Sequence, residues 1–249
     1  MTERPRLSAI VIAKNEAADL PDCLASLAFC DEIVVVDSGS TDDTVAIARA
    51  AGAVVRVTED WPGFGLQKQR ALDLSTGDFV LSVDADERIP ADLADEIRAA
   101  IERGDRAGWR INRRSSFLGR FLLHGGWYPD RVLRLARRSA ARFSPDLVHE
   151  RMVVEGAVGD LDRDMIHHSY RSIDEVLDKG RRYALASAAE RRSRGKRGGL
   201  VIALPRATWA FLRHYVLKAG FLDGAHGFVA ALAKAQETFW RWLAVGWEK

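Results

Sequence analysis

Residues 79–87 read FVLSVDADE, and they predict both the fold and the position of the site. The apolar first half is typical of a strand that is buried on both faces. Asp84 and Asp86 follow it, and on a straight strand they would point to the same side because side chains alternate. Two such carboxylates can share a divalent cation, and Mg²⁺ is usually held by one or two carboxylates together with substrate phosphates. The alternative explanation of a lone Asp-x-Asp pair is an acidic turn that begins the next helix.

The chain on either side of this strand alternates predicted strands with predicted helices. Strand-length apolar runs occupy residues 7–13, 33–36 and 53–57, and helical patterns occupy residues 17–29, 43–50, 66–75 and 90–103. Such an alternation favours parallel strands joined by right-handed crossovers. The predicted fold class is therefore α/β, with a mostly parallel central sheet and flanking helices.

Polar side chains follow the predicted strands where each strand ends. In an open parallel sheet, ligands bind beyond the carboxyl ends of the strands. The side chains that this rule collects along one edge are Asn15, Glu16, Asp37, Asp84 and Asp86. Acidic groups there suit ribose hydroxyls and a cation, and Lys68 and Arg70 lie near enough in the chain to reach phosphates. No Gly-x-Gly-x-x-Gly or Gly-Lys-Ser/Thr follows the first strand, which disfavours a Rossmann cofactor site and a P-loop.

The composition is that of a globular protein with an uneven charge distribution. The 249 residues are 47% hydrophobic and 29% charged, which fits one large domain or one domain with an appendage. Residues 1–102 hold 20 acidic and 9 basic residues, whereas the remainder holds 15 and 28. The basic part is expected to meet an anionic partner, unless it is simply a solvated face. Cys23 and Cys30 are expected to be reduced core thiols.

The C-terminal quarter combines basic and aromatic residues. A helix is predicted over residues 172–195, and residues 179–197 hold eight basic residues and one acidic residue. Together with the aromatic end, including Trp240 and Trp242, this pattern suits a helix in a membrane interface. Packing on the main domain or on a second subunit is the alternative. No nucleic-acid recognition module appears, so no nucleic-acid partner is expected.

No run of 18 apolar residues and no signal-peptide pattern is present, so we expect no spanning helix and a cytoplasmic protein. Its predicted location is peripheral, on the inner face of the cytoplasmic membrane. The sequence does not predict the oligomeric state.

The order of these motifs resembles family 2 of the nucleotide-sugar glycosyltransferases, which have the GT-A fold. The segments that carry the resemblance are Ser8–Glu16, Val35–Asp42, Gln67–Arg70 and Gly77–Asp86. It covers about residues 6–170, and it implies a glycosyltransferase domain over 1–170 followed by a helical region over 171–249. It also implies a nucleoside-diphosphate sugar donor, Mg²⁺ or Mn²⁺, and net inversion at the anomeric carbon.

The resemblance also implies roles for individual residues. Asp37 would hold the base or ribose, and Asp86 would hold the metal ion with Asp84 in support. His167 is a candidate to complete the metal shell or to touch the diphosphate, with a satisfied core histidine as the alternative. The predicted donor contacts are Ala13, Asn15, Glu16, Asp37, Ser38, Gly39, Lys68, Arg70, Asp84 and Ala85.

Inverting transfer needs a general base that takes the proton of the acceptor hydroxyl. The family often places this base in a Glu-Asp pair downstream of an arginine-rich strand, and that pair is missing here. His149-Glu150 stands in the corresponding place, so Glu150 is predicted as the base. Asp130 is the alternative base, and a salt bridge is the alternative role of Glu150.

The region around Gly220–Gly224 and the aromatic C-terminus is similar to bacterial lipopolysaccharide-core glucosyltransferases. That similarity implies UDP-glucose as donor and a lipid-linked glycan as acceptor. A glycosyltransferase of another polysaccharide or glycoconjugate pathway is an alternative. A sugar nucleotidyltransferase would need a glycine-rich basic loop after the first strand, which residues 13–16 do not form. A non-catalytic binding module is disfavoured by the presence of Asp37, Asp84, Asp86 and Glu150.

Overall fold

A computed structural model describes residues 4–144 and 151–247. The strands are β1 Leu7–Ala13, β2 Glu32–Asp37, β3 Val54–Val57, β4 Phe79–Asp84, β5 Glu87–Arg88, β6 Gly108–Phe117, β7 Arg120–Phe121, β8 Arg131–Arg137, β9 Ala141–Phe143, β10 Met152–Val154 and β11 Val158–Tyr170. The helices are α1 Leu20–Ser26, α2 Thr44–Ala50, α3 Phe64–Leu74, α4 Ala91–Arg103, α5 Ile173–Ser193, α6 Leu200–Leu212 and α7 Gly224–Trp247. The predicted α/β class with a helical C-terminal region is confirmed.

The chain forms two compact units, each built from two segments. The first contains Met1–Arg113 and Arg131–His167, and the second contains Arg114–Asp130 and His168–Lys249. This division differs from the predicted boundary at residue 170, because part of the middle of the chain packs with the C-terminal helices. Phe117 and Leu122, for example, share a buried cluster with Val176 and Ala230.

The sheet has the strand order β3-β2-β1-β4-β8-β6-β11-β5. Strands β1 to β4 pair in parallel, as the alternation of strands and helices predicts. Beyond β4 the pairs β4–β8, β6–β8 and β5–β11 are antiparallel. No helix separates β6, β7 and β8 in sequence, so this part of the chain contains no crossover helix that would make its strands parallel.

Two apolar clusters cover the two faces of the parallel strands. Ala9 and Val11 of β1 belong to one cluster, whereas Ile10 between them belongs to the other. Helices α1 and α4 contribute to the first cluster and α3 contributes to the second. Because both faces are covered, β1 is apolar at nearly every position.

Cys23 and Cys30 are free, as predicted, and burial raises the pKa of both thiols, to about 12 for Cys30.

The second unit is built around α5, α6 and α7. A π-helical turn, Arg213–Leu217, and a 3₁₀ turn, Gly220–Asp223, connect α6 to α7. A Cβ at Gly227 would overlap the carbonyl oxygen of Gly220, so the turn closes on α7 only with glycine at that position. Buried Asp223 accepts a hydrogen bond of 2.8 Å from the backbone N–H of His124 and thereby ties the 123–126 loop to this turn.

Within the described residues, no single helix has the length and hydropathy to cross a membrane. Leu200–Leu217 and Gly220–Trp247 meet both criteria only when they are taken together, and the pair is bent by 72°.

Candidate active site

The carboxyl ends of β1, β2 and β4 lie side by side in the first unit. Ala13 at the end of β1 pairs with Asp37 at the end of β2, and Ile12 pairs with Asp84 at the end of β4. The sheet therefore places Asp37 and Asp84 at the same edge, on opposite sides of β1. This arrangement is the one that the strand-end rule predicts.

Asp37 shapes the loop that follows β2. Its buried carboxylate accepts hydrogen bonds from the backbone N–H groups of Gly39 at 3.0 Å and Ser40 at 2.9 Å. The hydroxyl of Ser40 also donates to it. Gly39 has a φ of +76°, in the left-handed region that glycine adopts without strain. The contact of Asp37 with a nucleoside stays a prediction, whereas its role in folding the loop is visible.

The loops after β1 and β2 are hydrogen-bonded to each other. The Oδ1 of Asn15 accepts from the backbone N–H of Thr41 at 2.8 Å, and the N–H of Asn15 donates to the Ser40 hydroxyl at 2.8 Å. The N–H of Glu16 donates to Thr44 Oγ1 at 2.8 Å. On the other side, Gln67 Nε2 of α3 donates to the predicted donor contact Ser38 at 2.9 Å. These bonds fix the two loops as one wall.

A largely buried network of charges lies beside this wall. Lys68 Nζ is 2.9 Å from Asp84 Oδ1, and the guanidinium of Arg134 is 2.6 Å from Asp84 Oδ2. Arg134 also lies 2.6 Å from Glu87 Oε1, and Arg113 lies 3.6 Å from the same oxygen. Both oxygens of Asp84 are therefore held by cations, and Arg134 joins the two carboxylates.

The network shifts the pKa values of its members in different directions. Burial alone would raise the pKa of Asp84, but the charges of Arg134 and Lys68 outweigh burial and hold it well below its usual range. Burial raises the pKa of Glu87, and Arg134 only partly offsets this. Burial would lower the pKa of Arg134, yet Asp84 and Glu87 raise it. Arg134 is thus a permanent cation and Asp84 a permanent anion at neutral pH.

We expect Arg134→Met to lower the free energy of unfolding by about 3–5 kcal/mol, because it leaves the buried Glu87 carboxylate and the half-buried Asp84 carboxylate without their shared partner. Urea unfolding followed by circular dichroism measures the change. The matched control is Arg110→Met, which removes the exposed 2.7 Å ion pair with Asp160 and should change stability far less. An equal effect of both substitutions would contradict the assigned role of Arg134.

Asp86 and His167 form a second pair at the same edge. His167 Nε2 lies 3.4 Å from Asp86 Oδ2, and the two side chains are 15% and 27% exposed. His167 is brought there by the antiparallel pairing of β11 with β5, in which it stands opposite Glu87. No group of three or more metal-binding side chains occurs among the residues that the structure describes. A carboxylate suits Mg²⁺ or Mn²⁺, and an imidazole is a common ligand of divalent transition metals. The pair therefore fits such an ion, with diphosphate oxygens and water as its remaining ligands.

The other predicted contacts lie in different surroundings. Arg70 makes two hydrogen bonds to Asp60, at 2.8 and 2.7 Å, rather than reaching along the edge. Ala85 is buried, and its carbonyl accepts a hydrogen bond of 2.8 Å from Arg88. Glu150 and His149 lie outside the described residues. Asp130 belongs to the second unit and is half-buried. The roles of all these residues stay predictions.

The sequence did not single out Arg134 or Glu87. Arg134 lies in the segment RVLRL at residues 131–135, whose alternation is typical of a half-exposed strand, whereas in the structure it is buried. Two weak features of the sequence could have indicated these residues. Arg134 stands among apolar residues, and Glu87 lies three positions after Asp84.

The profile of glycosyl transferase family 2 matches residues 8–144, more than half of the chain. The chain belongs to glycosyl transferase family 2. It is 34% identical over 245 residues to the lipopolysaccharide core biosynthesis glycosyltransferase LpsC of Rhizobium meliloti, with 94% of this chain and 89% of that protein covered. It is also 30% identical over 254 residues to an uncharacterized glycosyltransferase of Rickettsia felis, with 95% and 88% covered. Membership in the family confirms the predicted enzyme class.

Solved structures share the fold at low sequence identity. S. aureus TarS 1–349 in complex with UDP-GlcNAc has a TM-score of 0.52 at 18% identity, covering 94% of this chain and 81% of that one. The mannosyltransferase PcManGT from Pyrobaculum calidifontis, in complex with GDP-Man and Mn²⁺, has a TM-score of 0.54 at 17% identity, covering 95% and 74%. These similarities confirm the predicted GT-A fold.

Proposed function

We propose that this family 2 glycosyltransferase transfers glucose from a nucleoside-diphosphate donor to a lipid-linked glycan of the lipopolysaccharide core. One observation carries the proposal: the Asp86–His167 pair lies at the carboxyl edge of the strands that also hold Asp37 and Asp84. The similarity to LpsC over nearly the whole chain supports the core acceptor. UDP-glucose is the proposed donor.

The donor site is attributed to the first unit. The wall formed by the Asn15 and Asp37 loops is already hydrogen-bonded, so little loop ordering would accompany nucleoside binding. Asp86 and His167 would hold Mg²⁺ or Mn²⁺, which when bound neutralises charge on the leaving diphosphate. The Mn²⁺ present with GDP-Man in the PcManGT structure supports a metal of this class. Arg134 and Lys68 keep the Asp84 carboxylate in place beside this pair.

The acceptor hydroxyl must lose a proton as it attacks the anomeric carbon from the face opposite the diphosphate. Glu150 is the proposed base for this step, with Asp130 as the alternative. A carboxylate in this role takes the proton while the acceptor oxygen bonds to the anomeric carbon and the bond to the diphosphate breaks. A single displacement of this kind would invert the anomeric configuration.

The proposal is tested by supplying purified enzyme with a panel of nucleotide sugars and a truncated lipopolysaccharide core acceptor. Mass spectrometry should detect one added hexose with UDP-glucose, and NMR should show a β-linkage if the donor is α-linked. Addition of a different sugar would change the donor assignment. Efficient transfer only to an acceptor unrelated to lipopolysaccharide would contradict the core acceptor.

A peripheral contact with anionic membrane is proposed for the second unit. Of the 23 large hydrophobic side chains that are exposed among the described residues, 16 lie between Ile173 and Trp247. They include Val201, which is 88% exposed, and Leu204 on α6. Basic residues of α5 accompany these apolar side chains, and the combination is typical of surfaces that lie in a membrane interface. This contact would place the enzyme on the inner face of the cytoplasmic membrane.

The full chain is therefore expected to co-sediment with anionic vesicles at low salt and to bind less at high salt. Replacing Val201 and Leu204 together with serine should weaken binding about tenfold or more, because two apolar side chains no longer enter the interface. The control is Val54→Ser, which alters an exposed apolar residue of the first unit. Equal binding to neutral and anionic vesicles, or no binding to either, would contradict the proposed contact with anionic membrane.

A further inference from the structure

A groove of about 530 Å³ lies between α5 and α7 in the second unit. Its walls are mostly apolar: Leu177 and Ala184 belong to α5, and Trp240, Leu243 and Trp247 belong to α7. A volume in this range is typical of sites for small molecules, which are commonly about 300–1,000 Å³. None of the described residues assigned to the donor site lines this groove.

The floor and end of the groove are closed by direct helix packing. Ala184 is fully buried beneath it. One turn further along α5, Ala188 packs against Ala244 and Val245 of α7. Trp240 and Trp247 remain half-exposed or more at its opening, at 49% and 70%. Large aromatic side chains that are apolar on one side and wet on the other are typical of the membrane interface.

The charged groups of the groove favour an anionic headgroup. Arg181 is 67% exposed and lines the groove. Among the described residues of the lining, Glu237 is the acidic side chain, and it is paired with Lys234 at 2.9 Å and with Arg241. Arg181 is paired with Asp178, which also binds Arg182. Together with these partners, the charged side chains at the otherwise apolar opening are four cations and two carboxylates, a net positive charge.

We propose that this groove binds one acyl chain of an anionic bilayer phospholipid, with Arg181 contacting the phosphate. The inference rests on the membrane contact of the proposed function and gives it a specific lipid site. An acyl chain suits the apolar walls, and a phosphate suits the arginine. A second copy of the chain is a poorer occupant, because a symmetric contact would bring two identical cationic rims together.

Gly180 provides a direct way to fill the groove. It lines the groove within α5, and a Cβ built at this position meets no atom within 4 Å. Gly180→Leu should therefore extend a side chain from this open position into the space of the acyl chain, and it replaces a weak helix former with a strong one. The matched control is Ala189→Leu, which adds a leucine at an exposed position of the same helix outside the groove lining.

The experiment uses the full chain and vesicles of phosphatidylcholine with a phosphatidylglycerol whose acyl chain carries a diazirine. After irradiation, mass spectrometry should find the label on segments 176–185 and 236–247. Gly180→Leu should reduce this labelling by about tenfold or more, and Ala189→Leu should leave it unchanged; tenfold corresponds to about 1.4 kcal/mol of binding free energy. Circular dichroism verifies that both variants are folded.

A second pair of variants tests the proposed contact between Arg181 and the lipid phosphate. It also tests the groove as the lipid site if Gly180→Leu fails to fold. Arg181 and Arg182 both bind the carboxylate of Asp178, at 3.1 and 2.9 Å, and are similarly exposed, but only Arg181 lines the groove. Arg181→Glu should reduce labelling about fivefold or more, the factor expected for one cationic contact near the surface. Arg182→Glu should have a clearly smaller effect.

Several results would overturn the proposal. Normal vesicle binding with the label on other segments would leave the membrane contact intact and remove the groove as the lipid site. Labelling that is unchanged in folded Gly180→Leu, or equally reduced in both arginine variants, would also contradict the groove as the lipid site. Failure of the wild-type chain to bind vesicles would contradict both the membrane contact and the lipid site. A dimer that Gly180→Leu abolishes would assign the groove to a second copy.

Discussion

Asp86→Ala is expected to lower kcat/KM by about 10³-fold or more, and excess EDTA should abolish transfer by the wild-type enzyme. The reason is that the leaving diphosphate then departs without the several kcal/mol of charge stabilisation that a metal ion provides. The measurement is the rate of nucleoside diphosphate release in the presence of acceptor. Asp22→Ala is the control. The Asp22 carboxylate belongs to the same unit, but it is 83% exposed and makes only a weak ion pair with Arg88, at 3.8 Å.

Asp84→Asn gives the contrasting case. Its oxygens are held by Lys68 and Arg134, so the substitution should reduce stability as well as activity, whereas Asp86→Ala should change activity with little loss of stability. Full activity in excess EDTA, or normal turnover by Asp86→Ala, would contradict the metal assignment.

Glu150→Gln is expected to lower kcat by about 10²–10⁴-fold while leaving the affinity for the donor unchanged, which is the range for the loss of a general base. Glutamine is nearly isosteric but cannot accept the acceptor proton. Donor affinity is measured by calorimetry with a nucleoside diphosphate, and turnover by product release. Asp130→Asn is the matched comparison. If Asp130→Asn loses turnover and Glu150→Gln does not, the two roles are exchanged.

The parallel half of the sheet could be predicted from sequence because its physical cause is local. Strands β1, β2 and β4 are covered on both faces, so each appears as a nearly continuous apolar run, and each ends in a polar residue or immediately before one at the same edge. Asp37 and Asp84 could be assigned to that edge from strand order alone. The resemblance to the family added the roles of the residues but not their positions.

The antiparallel half was harder to predict because its causes lie far apart in the chain. No clear strand pattern is visible in the sequence from residue 104 to 130, yet Gly108–Phe117 is a strand of ten residues. No regular apolar pattern runs through residues 158–170 either, yet they form the single strand Val158–Tyr170. Charged residues interrupt the apolar pattern of both strands, so short-range periodicity did not predict their length.

The position of Arg134 in the site was also hard to predict, because it depends on a contact between distant parts of the chain. Fifty residues separate it from Asp84, and only the pairing of β8 with β4 brings the two together. An arginine in an alternating strand is normally on the exposed face; here it is buried because Asp84 and Glu87 neutralise it. Likewise, the packing of Phe117 and Leu122 with α5 and α7 has no local signature.

The carboxyl edge of β1, β2 and β4 is the proposed site of the donor diphosphate and its metal ion. Anomalous diffraction from Mn²⁺ in crystals grown with UDP can locate that ion. We expect one strong peak within coordination distance of the Asp86 carboxylate and the diphosphate oxygens, with His167 beside it, and no such peak in Asp86→Ala. A nucleotide-bound Mn²⁺ peak away from Asp86, or an unchanged peak in Asp86→Ala, would contradict the proposed site.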